Sequence, residues 1–166
     1  MKNIVRKILS FGVALVLLLT FGVFALGSGE DEASSQGNGE AGAADVGKLS
    51  NYSVEIKSCR LAKDYEGKAI VIVKYAFTNN SDTPAAFWTS IDDTVYQGAV
   101  GLNECYIAAE SANYSTDNQS KEVKKGGTLD VEVAYYLNDT TTSIDVEVSE
   151  MFSFSNKKTT KSFKIS

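Results

Sequence analysis

Few residues in this sequence could carry out catalysis, and histidine is absent from all 166 positions. Its absence excludes Ser-His-Asp and Cys-His nucleophilic sites, the most common general base near neutral pH, and zinc sites built on imidazole. Ser155 and Lys158 match the Ser-x-x-Lys pattern of penicillin-recognising serine enzymes. That nucleophile requires the start of a helix and a buried lysine, whereas Ser155 stands in a polar, turn-like stretch near the C-terminus. We therefore predict no catalytic residue and expect that the protein is not an enzyme.

Carboxylates at Asp92, Asp93 and Glu104 provide the other candidate chemistry. Their oxygens could bind calcium, a hard cation, although their spacing is unlike that of an EF-hand. Asp92 and Asp93 could also serve a small hydrolase, which would require a cleft and a second acid at a fixed separation. A solvated turn is the favoured interpretation, so the sequence predicts no metal and no cofactor. A carboxylate-based hydrolase and a calcium-stabilised spacer domain are the alternatives.

Three aromatic residues, Phe87, Trp88 and Tyr96, are the candidate binding residues. Exposed aromatic side chains anchor peptides, sugars and protein partners, because they bury a large area and keep a polar edge. The alternative, and the more common role for such a residue, is that Trp88 fills the core of the domain.

The first 26 residues indicate export. Lys2, Arg6 and Lys7 precede a run of 19 uncharged residues, Ile8–Leu26, for which we expect a hydrophobic helix. This run is longer than the core of a signal peptide, about 7 to 15 residues, and close to the about 20 residues that span a membrane. Both a cleaved signal peptide and a membrane anchor over residues 8–26 fit the pattern.

A lipoprotein box is approximated at the end of this run, but Ser28 stands where the lipidated cysteine would be. Residues 27–48 are then rich in Gly, Ser, Ala and acidic residues, which predicts a disordered stalk because such a segment buries little apolar surface. Of the 16 basic residues three lie in the leader, whereas all 21 acidic residues follow it. An acidic exported part disfavours nucleic-acid binding.

Residues 49–166 show the period-two alternation of half-buried strands. In residues 69–78, one face carries Val71, Val73, Tyr75 and Phe77 and the other carries isoleucines, which predicts a central strand covered on both sides. Further alternating runs at 52–57, 128–137 and 144–149 are separated by turn signals, and six to eight short antiparallel strands indicate a sandwich or a barrel.

Cys59 and Cys105 are the only cysteines, and an oxidising extracellular setting favours a disulfide between them. On loop-entropy grounds such a bridge would stabilise the fold by about 4 kcal/mol. The phase of the strand argues against it, because Cys59 points outward if Val54 and Ile56 point inward, unless the strand bulges near Ser58. The alternative is that both are small buried apolar residues.

Several motifs of the domain occur together in a recognisable order. Residues 64–68 are followed by 70–82 (IVIVKYAFTNNSD), and a glycine turn at 125–127, a tyrosine strand at 133–139 and an acidic-apolar strand at 144–148 come later. In these motifs the chain resembles a bacterial domain of unknown function, the family numbered 5067. The resemblance implies an all-β, immunoglobulin-like antiparallel sandwich in a lipoprotein or secreted surface protein with no assigned activity. The chain departs from the family in lacking the lipidated cysteine.

The combined prediction is an extracytoplasmic, non-catalytic binding module of a Gram-positive-type cell surface. It is held in the membrane by residues 8–26 or secreted after cleavage. Its expected partner is an extracellular protein, a peptide or a wall component, bound through the loops around Trp88 or through a sheet edge.

Overall fold

The computed structural model describes residues 46–106, 108 and 110–165. Strands dominate this part of the chain, and its helical elements are a single α-helical turn, Phe87–Ser90, and one 3-10 turn, Glu110–Ala112. The labelled elements are β1 (Val46–Lys48), β2 (Tyr52–Lys63), β3 (Ala69–Asn79), α1 (Phe87–Ser90), β4 (Ile91–Gln97), β5 (Val100–Gly101), β6 (Thr128–Tyr136), β7 (Ile144–Glu150) and β8 (Lys158–Phe163).

The strands form two antiparallel four-stranded sheets, in the orders β1-β2-β3-β6 and β5-β4-β7-β8. The all-β prediction is therefore confirmed, and one apolar core lies between the two sheets as in a β-sandwich. The connection from β6 to β7 passes from one sheet to the other rather than forming a hairpin. Among the described residues no helix is long and apolar enough to cross a membrane.

The hairpin between β2 and β3 is organised by Asp64. Its Oδ1 accepts hydrogen bonds from the backbone N–H groups of Glu66, at 2.9 Å, and Lys68, at 2.8 Å. Gly67 supplies the positive φ of 87° that this turn requires. The side chain of one aspartate thus fixes the register in which the two longest strands pair.

Strand β3 is buried on both faces, as its alternation predicts. Val71, Val73, Tyr75 and Phe77 belong to the core between the sheets. On the opposite face, a second cluster contains Ile70, Ile72, Cys105 and Ala134. The segment between β5 and β6 covers this second face through Cys105, Ala108, Ala112 and Tyr114.

The predicted disulfide is wrong, because Cys59 and Cys105 are not bonded to each other. A bulge between Ile56 and Ser58 changes the phase of β2, so Cys59 packs against the core between the sheets. Cys105 lies in the cluster on the other face of β3. The first sheet therefore separates the two sulfur atoms.

The predicted boundary between stalk and domain, after residue 48, is also wrong. Val46, Gly47 and Lys48 pair with Glu55, Val54 and Ser53 and form an edge strand. Glycine is needed at position 47 because β1 lies close to β8 there, and not because the segment is disordered. A Cβ at this position would lie 2.3 Å from the Cβ of Thr159 on β8. The predicted leader over residues 1–26 and the rest of the predicted stalk, residues 27–45, lie outside the described residues.

Replacing Gly47 by alanine should therefore destabilise the domain. The added methyl group would push β1 away from β8, and overpacking of this kind costs about 1 to 3 kcal/mol. Equilibrium urea unfolding measures the effect. Gly101→Ala is the matched control, since its new Cβ would meet nothing closer than a Tyr96 ring carbon at 3.8 Å, and equal midpoints for the two variants would contradict the packing of β1 on β8.

Candidate functional site

The main candidate site is a cavity of about 310 Å³ between the open edges of the two sheets. In the first sheet β6 is the edge strand, and in the second sheet β5 pairs only with Tyr96 and Gln97 of β4. The beginning of β4 is thus left without a strand partner on that side. Loop segments close the gap, and the side chains of both edges line the space between them.

The turn α1 places two neighbouring aromatic residues on opposite sides. Phe87 is 2% exposed, and the centroid of its ring lies 5.2 Å from that of Tyr75 and 5.9 Å from that of Phe77. Trp88 is 61% exposed at the cavity. The Trp88 backbone N–H donates to the carbonyl oxygen of Gln119 at 3.1 Å, which fixes the turn against the loop before β6.

The three predicted binding residues consequently have different roles. Phe87 is a core residue that contributes only to the inner wall of the cavity, because its ring packs between the sheets. The interpretation of Trp88 as a core residue is wrong, since its side chain is exposed. Tyr96 is half-buried on the outer face of β4 and does not line the cavity, so the structure does not bring it together with Trp88.

Tyr106, and not the predicted Tyr96, is the tyrosine that lines the cavity with Trp88. Its side chain is 71% exposed. Its loop is held against β6, because the Cys105 N–H donates to the carbonyl oxygen of Ala134 at 2.7 Å. A hydrogen bond to Glu104, together with the charge of that carboxylate, raises the pKa of Tyr106.

Asp93 is the acidic group at the cavity floor. The alternation of β4 turns its side chain toward the core side of the strand, whereas Asp92 is exposed. The Tyr135 hydroxyl donates a short hydrogen bond to Asp93 Oδ2. Removal from water raises the pKa of Asp93 to about 7; the Tyr135 hydrogen bond opposes this rise, and the charge of Glu104 adds to it.

A second phenol lies beside this carboxyl group. The Tyr75 side chain is 0% exposed, and its hydroxyl makes no hydrogen bond of ordinary geometry to any described residue. Burial raises the pKa of Tyr75 well above its usual value, and the neighbouring Asp93 carboxylate raises it further. Asp93 therefore has one phenol already bonded to it and another close by that has spare donor capacity.

The cavity is acidic and apolar at once. Asp92, Asp93 and Glu104 are among the residues that line it, and none of the described lining residues carries a positive charge. Between the carboxylates the walls are formed by the aromatic rings and by Ile91, Val133 and Met151. Such a surface suits a ligand with a cationic end and an apolar body.

The other predicted chemical groups are arranged differently. Over residues 46–106, 108 and 110–165, no three His, Cys, Asp or Glu side chains are placed to share a metal ion, and this includes Asp92, Asp93 and Glu104. The serine and the lysine of the Ser-x-x-Lys pattern bind different partners. Ser155 Oγ accepts a hydrogen bond from Ser50 Oγ at 3.3 Å. Lys158 Nζ instead forms an ion pair with Glu147 at 3.0 Å.

The sequence predicts the three acids and Trp88, but it does not predict that Tyr106 lines the same cavity or that Tyr75 and Tyr135 lie against Asp93. The alternation of β3 and β6 signals Tyr75 and Tyr135 as inward-facing residues. Nothing in the sequence indicates that their hydroxyls meet Asp93, since that depends on how the two sheets face each other. Tyr106 carries a weak signal, because it lies two positions after one of the candidate acids.

The fold and the cavity together describe a class of protein, namely a small all-β domain of two antiparallel sheets with an acidic cavity lined by aromatic side chains. A family model described as "Domain of unknown function (DUF5067)" matches residues 28–150. The chain belongs to this family, which confirms the resemblance found in its sequence.

A solved structure of a protein assigned as a lipoprotein, from Staphylococcus aureus subsp. aureus NCTC 8325, has a similar fold with a TM-score of 0.54. The two chains are 19% identical, and the similarity covers 74% of this chain and 94% of the other. At this level of identity the likeness concerns the fold alone. No curated protein matches the chain.

The raised pKa of Asp93 predicts that stability increases as the pH falls from 8 to 5. The folded carboxyl group takes up its proton near pH 7, whereas in the unfolded chain it does so near 3.8, so in this window the folded state binds more protons. We expect the free energy of unfolding, measured with urea, to rise by about 2 kcal/mol between pH 8 and pH 5. Asp139 and Asp130 have lowered pKa values, and the stability they contribute is lost only below about pH 4.

Asp93→Asn should remove most of the increase in unfolding free energy between pH 8 and pH 5. The asparagine oxygen can still accept the Tyr135 hydrogen bond, but the side chain no longer binds a proton in this range. Asp92→Asn, on the next residue of the same strand, is the matched control and should keep the increase. If the wild-type domain lost stability between pH 8 and pH 5, the environment assigned to Asp93 would be wrong.

Proposed function

We propose that the protein is an extracytoplasmic, non-catalytic binding module of the cell surface, and that its ligand contacts the cavity beside Trp88. The observation that carries the proposal is the exposure of Trp88 and Tyr106, 61% and 71%, where both line an acidic cavity. Large aromatic side chains left in water at a concave site supply binding energy when a partner covers them.

Location is supported by two observations. The leader has the order of charge and apolar residues that directs export. A structural neighbour is assigned as a lipoprotein. In the proposal the domain is an immunoglobulin-like sandwich, held by residues 8–26 or released by their cleavage, and Ser28 in place of cysteine leaves no acceptor for a thioether lipid.

The expected partner is an extracellular protein, a peptide or a wall component. Nucleic acid is a poor candidate, because the carboxylates at the cavity would repel phosphate groups. The proposed contact surface is the rim formed by Trp88 and Tyr106, with Met151 beside them. Tyr96, on the outer face of β4, is no longer part of it.

A hydrolase is the second candidate, and one observation favours it: Asp93, with a pKa of about 7, lies in a cavity with a further acid, Glu104. Carboxyl groups with such raised pKa values serve as general acids. Incubation of the chain with cell-wall fragments separates the candidates. A mass change in the fragments that disappears in Asp93→Asn would favour a hydrolase, and unchanged fragments would favour a binding module.

Site-specific photo-crosslinking tests where the ligand binds. A photoreactive benzoylphenylalanine is placed at Trp88 or at Tyr106 in the full-length chain, expressed in the producing cell. We expect irradiation to give adducts of defined mass at both positions, because both side chains border the cavity.

Tyr65 provides the matched control, since it is an exposed aromatic residue that does not line the cavity. The same photoreactive residue at position 65 should give no such adduct. Adducts at Tyr65 but at neither cavity position would place the binding surface elsewhere and overturn the proposal.

A further inference from the structure

We propose that the cavity binds the cationic side chain of a peptide, an ammonium or guanidinium group at the end of an apolar stem. The inference rests on the proposed function and names the chemistry of the ligand. It follows from the charge of the cavity, the nature of its walls and the unused donor beneath its floor.

The charge of the cavity favours a cationic ligand. Three acidic residues, Asp92, Asp93 and Glu104, line a space of about 310 Å³, and no lysine or arginine is among its described lining residues. Two of them influence each other, since the charge of Glu104 helps to keep the proton on Asp93. A cation entering the cavity would relieve this repulsion, whereas an anion would increase it.

The aromatic and apolar walls of the cavity favour a cation on an apolar stem. Trp88 and Tyr106 present exposed rings, and a cation over an aromatic face is attracted by the ring quadrupole, most strongly for tryptophan. Ile91, Val133 and Met151 add apolar surface beside the carboxylates. The methylene groups of a lysine or arginine stem are apolar in the same way, so an extended cationic side chain matches both kinds of surface.

The size of the cavity supports one side chain rather than a larger ligand. Pockets that enclose whole small molecules begin at about 300 Å³, and this cavity is at that lower limit. The remainder of a partner would then lie outside, across the exposed rings of Trp88 and Tyr106. A peptide fits this arrangement, because it can insert one residue and leave its backbone at the surface.

The buried hydroxyl of Tyr75 is the independent observation. It is fully buried beside Asp93 and Tyr135 and makes no hydrogen bond of ordinary geometry to any described residue, an arrangement that ordinarily costs stability. A cation in the cavity would favour the ionised form of Asp93. An ionised carboxylate accepts stronger hydrogen bonds than a neutral acid, so the ligand would strengthen the contacts of Tyr75 and Tyr135 with Asp93.

Fluorescence of Trp88 tests the inference directly, because this residue is the only tryptophan in the chain. Full-length protein in detergent micelles is titrated with a blocked pentapeptide that has one central lysine among alanines. The control peptide replaces the lysine by norleucine, which keeps the stem and removes the charge. We expect saturable binding of the lysine peptide with an affinity at least about tenfold higher than that of the norleucine peptide.

Two variants locate the effect. Glu104→Gln, at an exposed position, should remove most of the preference for lysine without disturbing the fold, and Asp93→Asn should do the same. Glu66→Gln is the matched control: Glu66 is also an exposed acid, and it pairs with Lys68 in the β2–β3 turn rather than lining the cavity. It should leave the preference unchanged.

The outcomes separate this inference from the proposed function. Equal binding of the two peptides would keep the cavity as a binding site but overturn its preference for a cation. No response to either peptide, together with crosslinked adducts at Trp88, would likewise overturn the cationic ligand and leave the binding module standing. Absence of both peptide binding and adducts would overturn both proposals. A lysine preference that survives in Glu104→Gln and Asp93→Asn would show that the cation binds elsewhere.

Discussion

The burial of β3 on both faces is the constraint on which the rest of the structure depends. One face of this strand packs into the core between the sheets, and the other presents Ile70 and Ile72, which require a cover of their own. The segment between β5 and β6 supplies that cover, and its backbone is bonded to β6 through Cys105. Glu104 and Tyr106 flank this anchoring residue, so the demand for a second apolar cluster also positions one side of the cavity.

The cavity also concentrates features that work against stability. A desolvated carboxyl group, a buried hydroxyl without a hydrogen bond and two large exposed rings lie within one small region. Single features of this kind also occur elsewhere among the described residues: Asp64 Oδ2, in the β2–β3 turn, is buried without a hydrogen bond, and Phe152 and Phe154 are exposed. Gln97, by contrast, is buried with its hydrogen bonds made, since it donates to the carbonyl oxygens of Asp139 and Thr142 and accepts from the N–H of Asn138. The coincidence of all three features at one cavity is typical of a functional site.

The strands could be predicted from the sequence because period-two alternation reports directly on burial. Residues 69–78 and 128–137 show it clearly, and they form the central strand β3 and the edge strand β6 of the first sheet. The site could be predicted only in part. The orientation of Phe87 and Trp88 depends on a single helical turn, which separates neighbours by about 100° and has no periodic signal. Cys59 changed sides because of a one-residue bulge, and Gly47 has its role because β8, more than a hundred positions later, lies against it.

The position of β1 has a mechanical consequence. A pull on the chain at Val46 would load a three-residue edge strand. This short pairing would yield before the much longer ladder that joins β2 and β3. Releasing β1 would add about 10 Å of extended chain ahead of β2. The core between the sheets and the cavity would keep all their described residues, because neither includes a residue of β1.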